Sequence, residues 1–203
     1  MPDARSGGGQ KDGGRRAAEQ SSAARVLPPT AREWTVLTHP LLVGQLEKVV
    51  AAAEGELARD PDGPPGANRK LLRNLLALMF DEIPERPGGR KYQQGGTLGP
   101  ELKDWFRGKT GNGRYRLFYR FDSKVRVIVY AWVNDEETLR TYGKRTDAYA
   151  VFRRMVLHDE DPPNSWAARR AAAEAEGAVA TARGLADRHA RDRREGREAP
   201  RRP

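Results

Sequence analysis

The spacing of the apolar residues changes near Leu102, and this change constrains the fold more than any other feature of the sequence. Upstream of it, apolar residues recur every three or four positions, as on the buried side of a helix. The two stripes are Leu42, Leu46, Val49, Val50, Ala53 and Leu57, then Leu71, Leu72, Leu75, Leu76, Leu78 and Met79. Proline and glycine at 60–66 and 87–89 end the two predicted helices. Downstream of Leu102 the apolar residues alternate, which indicates strands.

Three strands are predicted, at 102–109, 113–121 and 125–133, because only short turns separate them. They form an antiparallel meander with its hydrophobic side against the two helices. Thr146 and Asp147 cap a last helix that runs to about residue 157. The predicted fold class is α+β, with two N-terminal helices packed on a small antiparallel sheet and one C-terminal helix.

The two ends of the chain differ from its middle in composition. Residues 1–30 are rich in glycine, serine and charge, which predicts a disordered tail. Residues 167–203 are mostly Ala, Arg and Glu and are predicted to be disordered or loosely helical. The tails hold six of the nine excess positive charges, so they are either solubilising appendages or weak RNA binders. Residues 31–166 form the predicted domain, which is long enough for a hydrophobic core.

Several classes of protein are excluded or disfavoured by what the sequence lacks. It has no cysteine, which excludes disulfides, Cys-ligated zinc and iron–sulfur clusters. Its apolar stretches are too short to span a bilayer, and its N-terminus has no signal-peptide core, so we expect a cytoplasmic protein without membrane contact. The three histidines are not spaced as a catalytic pair, and no phosphate-binding glycine loop or metal-ligand cluster is evident. We therefore predict no cofactor and no metal site.

One face of the predicted sheet is strongly cationic. By strand alternation it carries Lys103, Arg107, Lys109, Arg114, Arg116 and Arg120, with Trp105 and Phe118 on the same side. Guanidinium and ammonium groups hold phosphates, and aromatic rings stack on bases, so this face is predicted to bind RNA. The alternative interpretation is an ordinary solvated outer face of a half-exposed sheet.

Four ordered motifs resemble the YhaV-type toxins of the RelE/ParE superfamily of toxin–antitoxin ribonucleases. They are residues 113–120 (GRYRLFYR), 131–136 (AWVNDE), 138–144 (TLRTYGK) and 146–152 (TDAYAVF). Lys103, Trp105, Arg107, Trp34 and the His39–Pro40 pair also fit the family pattern, and the resemblance covers about 34–166. It implies a RelE-like fold and a metal-independent mRNA endoribonuclease associated with the ribosome. It also implies a cognate antitoxin with an AbrB-like swapped-hairpin part.

The resemblance also implies roles for individual residues. Arg107 is the strongest catalytic candidate, because its guanidinium can stabilise the charge that develops when a ribose 2′-hydroxyl attacks its own phosphate. Arg140, Tyr142 and Lys144 form a compact cluster, in which Tyr142 is expected to transfer a proton and Lys144 to lower the pKa of its hydroxyl. The arginines at 114, 116 and 120 are expected to bind phosphates, whereas Asp147 is interpreted as a helix cap.

Three functions remain open from the sequence: an endoribonuclease toxin, a module that binds RNA or the ribosome without cutting, and a toxin of a protein target such as gyrase. A surface loop without function also remains an alternative for the 140–144 cluster.

Overall fold

The computed structural model describes residues 34–141, 143–159 and 161–198, without the side chains of 176 and 195–198. The predicted tail at 1–30 and the last five residues lie outside the described residues. The strands are β1 (Thr35–Thr38), β2 (Phe106–Thr110), β3 (Tyr115–Asp122) and β4 (Val127–Val133). The α-helices are α1 (Pro40–Arg59), α2 (Ala67–Ala77), α3 (Ile83–Glu85), α4 (Ala148–Arg154), α5 (Trp166–Ala173) and α6 (Glu176–Glu198). Single π-helical turns follow α2 (Leu78–Glu82) and α4 (Met155–Asp159), and 3₁₀ turns lie at Arg90–Tyr92 and Pro100–Leu102.

The sheet has four strands in the order β1-β4-β3-β2. The predicted antiparallel meander of β2, β3 and β4 is confirmed, and so is the α+β class. The sequence analysis missed β1, which pairs in parallel with β4 from Thr35 opposite Val127 to Thr38 opposite Tyr130. Four residues are too few to show a strand period, and the partner strand lies about 90 residues away along the chain.

The first strand of the meander begins later than predicted. Residues Pro100–Leu102 form a 3₁₀ turn, and β2 starts at Phe106. Lys103 is therefore in an exposed turn rather than on the strand, because Gly99 and Pro100 place a turn where alternation suggested extended chain. The prediction that Lys103 shares a strand face with Arg107 is wrong.

One face of the sheet carries the main hydrophobic core, built with α1 and α2. Leu42, Leu46, Leu75 and Met79 from the helix stripes are fully buried there against the strands. Gly108 of β2 lets Leu78 pack directly against the strand, since a Cβ at this position would lie 2.6 Å from a Leu78 methyl carbon. The predicted packing of two helices on the sheet is confirmed.

The opposite face of the sheet is covered by α4, and this corrects a prediction about the site. Trp105 is 1% exposed and Phe118 is fully buried, and the Phe118 ring stacks on Phe152 of α4 with centroids 4.1 Å apart. The two aromatic residues are therefore core residues and are not available to stack on bases. Alternation placed them on the correct side of the sheet but carried no information about the helix that covers that side.

Helices α5 and α6 lie where the sequence analysis predicted a disordered or loosely helical tail. Leu185 and Ala186 of α6 join the main core, and α6 packs against α1, α2 and β1. His189 Nε2 lies 2.8 Å and Arg193 Nη1 lies 2.5 Å from the carboxylate of Asp81. The difference arises because an alanine-rich helix can approach closely and bury small residues, a contribution that a search for large apolar side chains overlooks. None of the described helices is long and apolar enough to cross a membrane.

Candidate functional site

Arg107 on β2 is held by two acceptors at the boundary between the sheet and α4. Its Nε donates to the hydroxyl of Tyr149 at 2.8 Å, and its Nη1 donates to the backbone carbonyl of Lys91 at 2.6 Å. Pairing with β3 places Arg107 opposite Phe118, on the α4 side of the sheet. The guanidinium is therefore pre-oriented, and a planar group fixed in this way can present its remaining N–H edge to a phosphate.

Tyr149 lies at the centre of a group of arginines. Its ring is approached by the guanidinium carbons of Arg140, 4.8 Å from the centroid, and Arg116, 6.0 Å away. The side chain is 6% exposed, and its hydroxyl accepts from Arg107. A phenol that accepts one hydrogen bond retains its own O–H for donation. We call Arg107, Arg116, Arg140 and Tyr149 the arginine–tyrosine cluster.

The sequence analysis treated Tyr149 as a core residue and missed its place in this cluster. One feature of the sequence could have indicated this role. A tyrosine at a core position needs a hydrogen-bond partner for its hydroxyl, and here the partner is Arg107, the strongest catalytic candidate of the sequence analysis.

Asp147 orients one side of the cluster. Its carboxylate pairs with Arg140 and accepts from the backbone N–H of Thr141 at 2.8 Å and of Tyr149 at 3.0 Å. The interpretation of Asp147 as the N-cap of α4 is confirmed. The cap fixes the start of α4 and, through the ion pair, the position of Arg140 over the Tyr149 ring.

Two cationic clefts adjoin the cluster. The α4 cleft has a volume of about 660 Å³, and the β2 cleft one of about 430 Å³. Basic residues of the α4 cleft are Arg140, Lys144, Arg145, Arg153, Arg154 and His158. Basic residues of the β2 cleft are Arg90, Lys91, Arg107 and Lys109. Tyr149 lines the first and Arg107 the second, so the two residues of this hydrogen bond line different clefts.

The other arginines of the predicted cationic face have separate partners. Arg114 is exposed and pairs with Glu136 at 3.4 Å. Arg116 is buried, and its Nη1 donates to the carbonyls of Gly113 and Tyr115 at 2.5 and 3.0 Å. Arg120 donates to the carbonyl of Asn164, and burial lowers the pKa of its guanidinium. The predicted continuous cationic face is therefore divided, because α4 and α5 cover much of it.

Two further predictions concern the loop before α4 and metal binding. Tyr142 lies outside the described residues, so its proposed proton transfer stays a prediction. Lys144 is exposed and lines the α4 cleft. Within residues 34–141, 143–159 and 161–198, no three His, Asp or Glu side chains come together in a way that could hold a metal ion.

Arginines arranged around a phenol, between two cationic clefts, define a site suited to phosphate groups. The sequence model of the YhaV toxins, described as toxins with endonuclease activity of toxin–antitoxin systems, matches residues 36–174. The chain therefore belongs to this family, as its motifs indicated.

Individual relatives agree with the family match. The toxin YhaV of Escherichia coli O6:H1 and the ribonuclease toxin YhaV of Escherichia coli strain K12 are each 40% identical to this chain over 145 residues. The alignment covers 69% of this chain and 92% of each relative. No solved structure gives a significant match. The family match ends at residue 174, so α6 lies beyond it.

Proposed function

We propose that the chain is a toxin that cleaves mRNA by attack of a ribose 2′-hydroxyl on the adjacent phosphate, with that phosphate bound at the arginine–tyrosine cluster. The observation that supports it is the 2.8 Å hydrogen bond from Arg107 to Tyr149, two residues that line neighbouring cationic clefts. A strand of RNA lying across both clefts would bring one of its phosphates to this hydrogen bond.

The cluster can supply two functions that this reaction needs. The 2′-hydroxyl gives up its proton to solvent water as its oxygen attacks phosphorus. This attack places additional negative charge on the phosphorane oxygens, and Arg107 stabilises that charge without changing its own protonation. The 5′-oxygen must gain a proton as its bond to phosphorus breaks. The Tyr149 hydroxyl, which accepts from Arg107 and keeps its own proton, is the donor that we assign to this step. The products are a 2′,3′-cyclic phosphate and a free 5′-hydroxyl. Tyr142 remains a second candidate for proton transfer.

Cleavage by the purified chain tests the proposal. Single-stranded RNA incubated in EDTA should yield 2′,3′-cyclic phosphate ends. Arg107→Ala should lower the cleavage rate about 10²–10³-fold, since it removes one preorganised donor to developing charge. Arg107→Lys should restore little activity, because an ammonium lacks the planar two-pronged contact. Arg73→Ala on the exposed surface of α2 is the matched control and should cleave normally.

Melting temperature and circular dichroism should be recorded for each variant. Near-normal cleavage by folded Arg107→Ala would contradict the assigned role of Arg107.

The second candidate function is a module that binds RNA or the ribosome without cutting it. It is favoured by the intramolecular hydrogen bonds of Arg107. Its Nε and Nη1 already donate to Tyr149 and to the Lys91 carbonyl, so these two groups are not free to bind a phosphate. Binding with no scission, under conditions in which a relative cleaves the same RNA, would support this candidate against the first.

Membership of a toxin–antitoxin family implies an antitoxin partner. We propose that it carries an AbrB-like swapped-hairpin part and that the toxin acts on ribosome-associated mRNA. Copurification with the product of an adjacent reading frame tests the first part. Comparing cleavage of free and ribosome-bound mRNA tests the second.

A further inference from the structure

Arg169 of α5 is fully buried and largely unpaired. Its Nη2 donates to the backbone carbonyl of Asn164 at 2.6 Å, but its Nε and Nη1 have no hydrogen-bond partner among the described residues. Burial, with a contribution from the nearby Arg120, lowers the pKa of Arg169 to about 9. A buried guanidinium with two unsatisfied N–H groups lowers the stability of the fold.

A second guanidinium points at the same oxygen. Arg120 Nη1 donates to the carbonyl of Asn164 at 3.0 Å, so β3 and α5 direct two cations at one acceptor. Among the described residues, the one carboxylate that pairs with either cation is Asp104, 3.4 Å from Arg120 and 63% exposed. The pair therefore carries more positive charge than its surroundings neutralise.

Aromatic rings supply part of the missing stabilisation. The guanidinium carbon of Arg169 lies 4.4 Å from the Trp105 ring centroid and 5.9 Å from that of Trp166. Cation–π contacts stabilise a desolvated guanidinium but provide no acceptor for its N–H groups. An oxyanion would provide both negative charge and acceptors.

Asn164 occupies the position that such an anion would take. Its carbonyl oxygen accepts from both arginines, and its side-chain Oδ1 accepts from the indole N–H of Trp105 at 3.2 Å. One exposed residue of the loop before α5 thus offers two oxygens to donors from three separate segments. A phosphate group offers the same kind of oxygens with a full negative charge, and it can satisfy several donors at once.

We propose that Arg120, Arg169 and the Trp105 indole form a phosphate-binding site, which Asn164 fills until movement of the 161–165 loop admits the anion. The ligand is a phosphate group, either inorganic or in the backbone of a nucleic acid. The site is separate from the arginine–tyrosine cluster, and the proposal does not rest on the proposed function.

Inorganic phosphate is the first probe, added to the full chain at constant ionic strength with chloride as the compensating ion. The melting temperature should rise with the logarithm of the phosphate concentration once this exceeds Kd, by about 5–11 °C at a hundredfold excess. Arg169→Met should lose most of the rise, and phosphate bound at the arginine–tyrosine cluster accounts for any rise that remains. Arg170→Met is the matched control, because this half-exposed neighbour pairs with Glu174 instead, and it should keep the rise.

Asn164→Ala provides a test that keeps both arginines. It removes the bond to Trp105 and loosens the loop, so phosphate should bind several-fold more tightly than to the unaltered chain. A purely structural role for Asn164 predicts lower stability and no gain in phosphate affinity, which would overturn the proposal.

A 2′-deoxy oligonucleotide, which has no attacking hydroxyl, distinguishes the two sources of the phosphate group. Competition between the oligonucleotide and phosphate, lost in Arg169→Met, assigns the site to a nucleic-acid backbone. Saturable binding of inorganic phosphate alone assigns it to the free ion. The absence of any rise in melting temperature with either probe, or an equal rise in Arg169→Met, would overturn the proposal.

Discussion

The two faces of the sheet are built from the same strands but carry different polar groups. On the α1–α2 face, the buried hydroxyls of Tyr119 and Tyr130 donate to the backbone carbonyls of Pro87 and Met79, at 2.6 and 2.7 Å. On the α4 face, arginine side chains surround an aromatic cluster. These arginines are Arg107, Arg116, Arg120, Arg140 and Arg169.

The contrast separates stability from function within one sheet. Neutral hydroxyls that donate hydrogen bonds to backbone carbonyls add stability without placing charge in the core. Guanidinium groups at a partly buried surface are costly to desolvate, but the same environment strengthens their attraction for an anion. Changes on the α1–α2 face should therefore alter unfolding, whereas polar changes on the α4 face should alter activity.

Phe152→Ala should have the largest effect on stability. Phe152 is fully buried and contacts Trp105, Phe118 and Trp132 through its ring. Truncation should lower the free energy of unfolding by about 3–5 kcal/mol, because it removes these contacts and leaves a cavity. Urea denaturation followed by circular dichroism measures the change. A loss below about 1 kcal/mol would mean that α4 contributes little to the folded core.

Removing one hydroxyl from each face compares the two directly. Tyr149→Phe should lower the cleavage rate about 10²-fold, since it removes a proton donor and the acceptor for Arg107. Tyr119→Phe should leave cleavage unchanged but lower the free energy of unfolding by about 1 kcal/mol, because Pro87 loses its buried donor. Single-turnover cleavage and urea denaturation on both variants separate the effects. Equal losses of activity would remove the distinction between the faces.

Gly108→Ala tests how tightly the α1–α2 face is packed. The added methyl would lie 2.6 Å from a Leu78 side-chain carbon and 3.2 Å from one of Ile83. We expect a loss of about 1–3 kcal/mol in the free energy of unfolding from overpacking. Gly55→Ala is the control, because a Cβ on this residue of α1 has no neighbour within 4 Å. It should be neutral or stabilising by up to about 1 kcal/mol, and a stable Gly108→Ala would show that the face can relax.

The smallest expected effect is a dependence of folding stability on pH that comes from His39. Burial lowers the pKa of His39, although Asp161 at 3.9 Å opposes the shift. Below the unfolded pKa, about 6.5, the unfolded chain binds a proton that the folded chain still excludes, so stability falls as the pH decreases. Protonation of Nδ1 would also end its capping bond to the N–H of Leu41.

His39→Asn keeps a capping side chain but does not titrate. Its melting temperature should fall less than that of the unaltered chain between about pH 7.5 and 5.5, and equal falls would contradict this account.

Local patterns determined much of this protein. The helix stripes predicted α1 and α2, alternation predicted three strands, and Asp147 was recognised as a cap. These features depend on neighbours within a few residues, which the sequence displays directly. The family motifs also drew attention to Arg107, which lies in the cluster.

Only the tertiary structure decided the partners of these elements. β1 became a strand because β4 offered a parallel edge, and Trp105 and Phe118 became buried because α4 returned over them. Tyr149 joined the site only when Arg107, 42 residues earlier, came within 2.8 Å of it. A periodic pattern tells which side of an element a residue occupies. What covers that side depends on contacts between distant segments, which bury surface and select partners only when the whole chain folds.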